Sequence, residues 1–164
     1  GGGTLPEKGL YDTVSSWDVM CRYADGIEMR FMGHRVARPV IEKYRPPCDH
    51  GTTFFGARGW VSVDRRGVHA SDPALLRTRF GPGDIRLYDS PRHDQNFIDC
   101  VRSRRPTICT LEAAIRSDAI SHLSDIAVRA GRKITWDPAK EEIVGDAAAS
   151  RMLDRAARGP WGMT

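Results

Sequence analysis

No apolar run in this 164-residue chain approaches the ~20 residues that a membrane-spanning helix needs, so the membrane is not an expected partner. No charged-then-apolar leader opens the chain, and its first residue is Gly1, so the start of the gene product is expected to lie upstream. Charge of one sign is lacking as well. The 25 basic residues are interspersed with 21 acidic ones, and the resulting net charge of +4 gathers on no segment long enough for a nucleic-acid face. The densest basic stretch, Arg102, Arg104 and Arg105, suits a helix C-terminus, where cations complement the dipole. Nucleic acid is therefore not an expected partner either.

Cysteine is scarce and wrongly spaced for a zinc finger. Cys21, Cys48, Cys100 and Cys109 form no C-x-x-C, and no histidine pair stands at finger spacing, so no metal site is expected. Cys21 and Cys100 fall within apolar patterns, where thiols behave as small hydrophobes. A reducing compartment, the cytoplasm, is the simplest expectation, with disulfides in an exported protein as the alternative. The signatures of nucleophilic and phosphate chemistry are missing too. There is no G-x-S-x-G elbow, and the adjacent Glu141 and Glu142 cannot share a face as a carboxylate dyad. The stretch GTTFFGARGW offers Gly51, Gly56 and Gly59, but no Lys-Ser/Thr follows, and G-x-G-x-x-G is absent. These glycines are expected to serve a hairpin turn.

What is present is alternation. Trp17, Val19, Cys21 and Tyr23 alternate with polar residues, Asp25-Gly26 breaks the run, and Ile27, Met29 and Phe31 resume it. Only a three-residue loop of Ala24, Asp25 and Gly26 keeps the apolar residues on one face, with Val19 opposite Phe31, Cys21 opposite Met29 and Arg22 opposite Glu28. The prolines at 39, 46 and 47 predict an irregular surface excursion from His34 to His50. Thr52–Phe55 and Trp60–Asp64 predict a second hairpin, Arg65-Arg66-Gly67 a turn into Val68–Ala70, and Ile85–Tyr88 a short strand after Gly81-Pro82-Gly83.

The period then changes. Ser90-Pro91 predicts a helix start, with Phe97, Cys100 and Val101 as its apolar side and Arg104-Arg105-Pro106 as its stop. A longer helix is expected from about Leu111 to Ala130. Its stripe is Leu111, Ile115, Ala119, His122, Leu123 and Ile126, with His122 a core histidine and Gly131 the end. Ile134–Trp136 reads as a last strand, Pro138 to Gly145 as an exposed segment, and Ala147–Arg155 as a terminal helix. Strands first and helices second give an α+β fold: a largely antiparallel open sheet with helices on one face, in a single domain over residues 1–164.

The runs HDQNFIDCVRSRRPT, LEAAIRSDAISHLSDIAVRAGRKITWDP, EEIVGD and RGPW, together with GTTFFGARGWVSVDR, resemble the C-terminal half of the glucose-fructose oxidoreductase and inositol dehydrogenase (Gfo/Idh/MocA) family. The resemblance runs over essentially the whole chain. It implies a parent in which an N-terminal Rossmann domain binds NAD or NADP and hydride passes between a secondary alcohol carbon of a sugar or cyclitol and nicotinamide. It also implies that this chain, read as the second domain, holds no cofactor-binding or catalytic residues and is inactive alone. A stand-alone module that grips a sugar or a protein is the alternative.

Substrate contacts are expected from His93 and Asn96, a helical turn apart near a helix start, and from His34 and Arg35 beside the proline-rich excursion. Met20 and Met32 lie on the opposite face of the first hairpin from Val19 and Phe31. Self-association into a homo-oligomer through an open sheet face is therefore expected, with Trp17, Trp60, Trp136 and Trp161 as its large aromatic signals.

Overall fold

Strand pairing in the first half follows the alternation residue by residue. The computed structural model describes residues 2–46, 48–86, 88–154 and 159, and the chain separates into two compact units, residues 1–84 and 85–164. In the first unit β1 (Gly2–Thr4), β2 (Ser16–Arg22) and β3 (Glu28–Met32) form an antiparallel sheet. Val19 pairs with Phe31, Cys21 with Met29 and Arg22 with Glu28, the register that hydrophobic alternation requires. Gly26 closes the three-residue loop at φ +89, a conformation open to glycine without a Cβ penalty. The Arg22 guanidinium meets Glu28 at 2.6 Å across the strands. The other face carries Met20 and Met32, as expected, together with charges: Asp18 and Arg30 form a two-pronged pair beside Met20.

The excursion after β3 begins as a helix, contrary to the irregular segment expected from its prolines. α1 runs His34–Ile41 with Pro39 inside it. Gly33 starts it, its extended carbonyl accepting the Val36 and Ala37 N–H groups. Val36, Ala37, Val40 and Ile41 then form a half-buried stripe, and the helix packs on β2. Pro39 removes one intrahelical bond in a helix of two turns, and that packing offsets the loss. Pro47 lies outside the described residues.

β4 (Thr52–Gly56), β5 (Gly59–Asp64) and β6 (Gly67–Ala70) form a second antiparallel sheet. Gly56 faces Gly59 across a two-residue turn, and Gly59 adopts φ +131 with Ser71 against the position a Cβ would take. The glycines of GTTFFGARGW are thus used by turn geometry. Tyr44 stacks edge-on against Phe55 and Trp60 at ring distances of 5.2 and 5.1 Å, and Thr53 bonds Ser62 at 2.8 Å where Ser62 is fully buried. A short α2 (Pro73–Leu76), capped by Asp72, packs on β6. Ile85, Arg86 and Tyr88 carry no strand, and Leu87 lies outside the described residues. With no neighbouring strand to pair with, β-branching and aromaticity in so short a run do not suffice.

In the second unit α3 spans His93–Ser103, starting two residues later than Ser90-Pro91 predicts. Arg92 is extended at φ −131 and its carbonyl accepts the Asn96 N–H, so Arg92 rather than Ser90 is the cap. Of the expected apolar side only Cys100 is buried, while Phe97 and Val101 stay exposed. α4 runs Leu111–Ala130, as its pattern predicts, with Thr110 accepting the Ala113 N–H and Gly131 left-handed at φ +64. Its stripe is buried only in the second half, around Ser124 and Ile126, and Leu111 and Ile115 are exposed. His122 is not a core residue. It is exposed and meets Asp118 one turn earlier at 3.0 Å, because the hydrogen-bonding ring gains more from water and a carboxylate than from apolar neighbours.

β7 is Trp136–Asp137, pairing with β8 (Glu142–Ile143) in a two-stranded sheet. The stretch read as exposed therefore contains Ile143, which joins Ile126 and Ala149 in the unit's core with Leu123, Ile134 and Trp136 packed around it. α5 covers Ala147–Ser150 only, capped by Asp146; Arg155 and Trp161 lie outside the described residues. The α+β class holds: among the described residues every strand pair is antiparallel, and the strands are spread over three open sheets. Among the described residues no helix is long and apolar enough to cross a membrane.

Candidate functional site

The first turn of α3 opens on a cleft of about 420 Å3 lined by His93, Asp94, Asn96, Phe97, Thr107 and Cys109. Two of the four residues predicted to touch substrate, His93 and Asn96, therefore meet at one surface. The cleft exists because the chain returns past the helix it has just left. Arg104 takes a left-handed φ of +60 and donates its N–H to Cys100, ending α3, and the buried Cys100 thiol bonds the Pro106 carbonyl at 3.3 Å. Asn96 ties the walls together, donating from Nδ2 to the Tyr88 hydroxyl at 3.0 Å and accepting the Ile108 N–H at Oδ1 at 3.1 Å.

That arrangement divides the work differently from the expected His93–Asn96 pair. The Asn96 carbonyl oxygen is committed to the return loop, which leaves one N–H of its amide to offer. Thr107 donates its hydroxyl to the Cys109 carbonyl. His93 is exposed at the first helical position, next to Asp94. The Arg92 guanidinium, 3.0 Å away, holds the Asp94 carboxyl below the usual carboxylate range, with the Gln95 N–H adding to it. The Phe97 ring stands largely exposed as an apolar wall. A flat ring beside a hydrogen-bonding imidazole, amide and carboxylate is a chemistry suited to a polyol, whose C–H face and hydroxyls need both. Asp94, Phe97, Thr107 and Cys109 were missed by the sequence reading. Spacing along α3 flags the first two, one and four residues after His93; Thr107 and Cys109 enter only through the turn at Arg104.

His34 and Arg35 are the first two residues of α1, in the other unit, and both are exposed. Their position on a packed helix replaces the irregular excursion expected from His34 onward. Gly51 and Gly59 have positive φ in hairpin positions, and a Cβ on Gly51 would lie 2.5 Å from both the Arg45 guanidinium and the Val63 carbonyl.

Residues 84–163 match the family described as "Oxidoreductase family, C-terminal alpha/beta domain". The match spans the cleft, α3, α4 and the Ile126 core, but not the GTTFFGARGW hairpin, so it is narrower than the resemblance read along the whole chain. No curated protein and no solved structure matches the chain.

Proposed function

Because residues 84–163 carry the C-terminal alpha/beta domain of the Gfo/Idh/MocA oxidoreductases, we propose that this chain supplies substrate contacts and an oligomer interface to an NAD(P)-dependent oxidoreductase acting on a sugar or cyclitol. The observation that carries this reading is the cleft at the start of α3, where His93, the remaining Asn96 N–H and the Phe97 wall converge within the matched residues. His93 and Asn96 bind substrate hydroxyls there; His34 and Arg35, at the start of α1 in the other unit, are proposed as substrate contacts in their own right. In this reading the nicotinamide cofactor is held by a parent's other domain, and no step of hydride transfer is assigned to this chain.

Both units serve one substrate and oligomerisation domain in this proposal. Self-association is supported by large apolar side chains left in the open on the strands, among them Met20, Phe54 and Phe55. A chain that remains monomeric across micromolar concentrations in analytical ultracentrifugation overturns the interface.

The substrate reading is tested by calorimetric titration of the chain with NADH, NADPH and a panel of sugars and cyclitols. Expected is no nucleotide binding, together with binding of a polyol that His93→Ala and Phe97→Ala each weaken by roughly tenfold, the loss of one contact. Nucleotide binding by this chain, or polyol binding indifferent to both variants, refutes it.

A further inference from the structure

The turn between α1 and β4 brings three metal-ligating atoms to one point outside the matched residues. Cys48 Sγ lies 3.6 Å from Asp49 Oδ1 and 3.7 Å from His50 Nδ1, and those two atoms are 2.8 Å apart. A tetrahedral zinc ion with Zn–S of about 2.3 Å and Zn–N of about 2.0 Å separates its sulfur and nitrogen ligands by about 3.6 Å. Both sulfur distances already meet that requirement. The shorter edge is a His–Asp hydrogen bond, which an ion between the two groups replaces.

We propose that Cys48, Asp49 and His50 form a zinc site with three protein ligands and a fourth position open to solvent. Thiolate, imidazole and carboxylate together select zinc over magnesium or calcium, which prefer oxygen alone. Zinc displaces the thiol proton to solvent, and thiolate plus carboxylate then balance the charge of the ion beside a neutral imidazole. Cys48 is buried, while Asp49 and His50 face water, so the ion has a path of entry.

The segment is held in place from behind. Arg45, whose side chain is almost wholly buried, donates to the His50 carbonyl at 2.9 Å and pairs with Asp64 at 2.6 Å. Gly51 follows directly at φ +135 and leaves no space for a Cβ between Arg45 and Val63. The ligand-bearing backbone is therefore fixed before metal arrives, the condition that distinguishes a built site from a flexible chelate.

The test is titration of chelator-treated, metal-free chain with Co(II), followed by its thiolate-to-cobalt absorption, and with Zn(II) by competition calorimetry. One equivalent is expected. Cys48→Ser should remove the thiolate band and weaken zinc by about 100-fold, and His50→Ala should weaken it by at least about tenfold, losses of the size that ligand networks show. His50 is exposed, so its variant keeps the test valid even where Cys48→Ser perturbs folding. Cys109→Ser should leave zinc stoichiometry and affinity unchanged. Absence of binding at tenfold molar excess, a cobalt spectrum without the thiolate band, or uptake that follows Cys109 instead of Cys48 overturns the proposal.

Discussion

Replacing Arg45 by methionine keeps an unbranched side chain of similar reach but deletes the guanidinium that faces Asp64 at 2.6 Å. Removing one partner of a buried ion pair costs about 3–5 kcal/mol, because a charge is left without compensation. Two features of this pair point to the lower end. Asp64 keeps the Arg66 and Gly67 N–H groups, at 2.6 and 3.1 Å, as acceptor contacts. Arg45 Nε is buried with no partner among the described residues, so part of the arginine's desolvation is already unrewarded. A loss of about 3 kcal/mol follows, or roughly 12–24 °C in melting temperature where a unit of this size unfolds cooperatively.

The assay is urea and thermal unfolding followed by Trp60 fluorescence and circular dichroism, with Arg22→Ala as internal control. Arg22 pairs with Glu28 at the same 2.6 Å, but their side chains are 72% and 50% exposed. Exposed pairs of this kind contribute under about 1 kcal/mol. Adding Asp64→Asn to the Arg45→Met background should recover much of the loss, since a neutral amide strands no charge. An Arg45→Met cost no larger than that of Arg22→Ala, or a double variant weaker than the single, refutes the argument.

Thr110→Ala should destabilise the second unit by about 1 kcal/mol, the worth of an N-cap, without changing the α4 register; denaturant melts and helix circular dichroism measure both. Asp146 is held down to about 2 from 3.8, first by the hydrogen bonds from Arg132 and then by the Ala149 N–H it caps. A depressed carboxylate adds stability above its unfolded pKa and loses it as pH falls through the folded one, so urea midpoints of the second unit should drop between about pH 4 and pH 2. Asp146→Asn should flatten that acid limb, and an unchanged limb counts against the pair.

Legibility varied with how local the determining physics is. The first hairpin was readable to the residue because period-two burial and one glycine at positive φ fix its register, and Arg22 met Glu28 as alternation demands. α4 was readable because Thr110 and Gly131 mark both ends. α1 was not, since Pro39 argues against a helix and only packing on β2 overrides it. β8 was hidden for a related reason: Glu142 and Ile143 have almost no strand signal until Trp136 pairs with them. At the cleft, His93 and Asn96 were found by helical spacing, whereas the role of Asn96 as a tie between Tyr88 and Ile108 depends on a chain reversal that spacing does not encode. Cys48 and His50 come together on a turn held by Arg45, a placement of adjacent residues that zinc-finger spacing does not describe.

The core of the second unit has a kinetic consequence. Every residue in it, from Leu123 through Ile134, Trp136 and Ile143 to Ala149, comes from one short stretch of chain. Closing short loops costs little entropy, and folds dominated by such near-neighbour contacts form quickly. This nucleus can assemble without waiting for any distant strand to arrive. The exposed Phe97, Val101, Leu111 and Ile115 upstream of it are then left on a preformed platform, available to whatever covers them next.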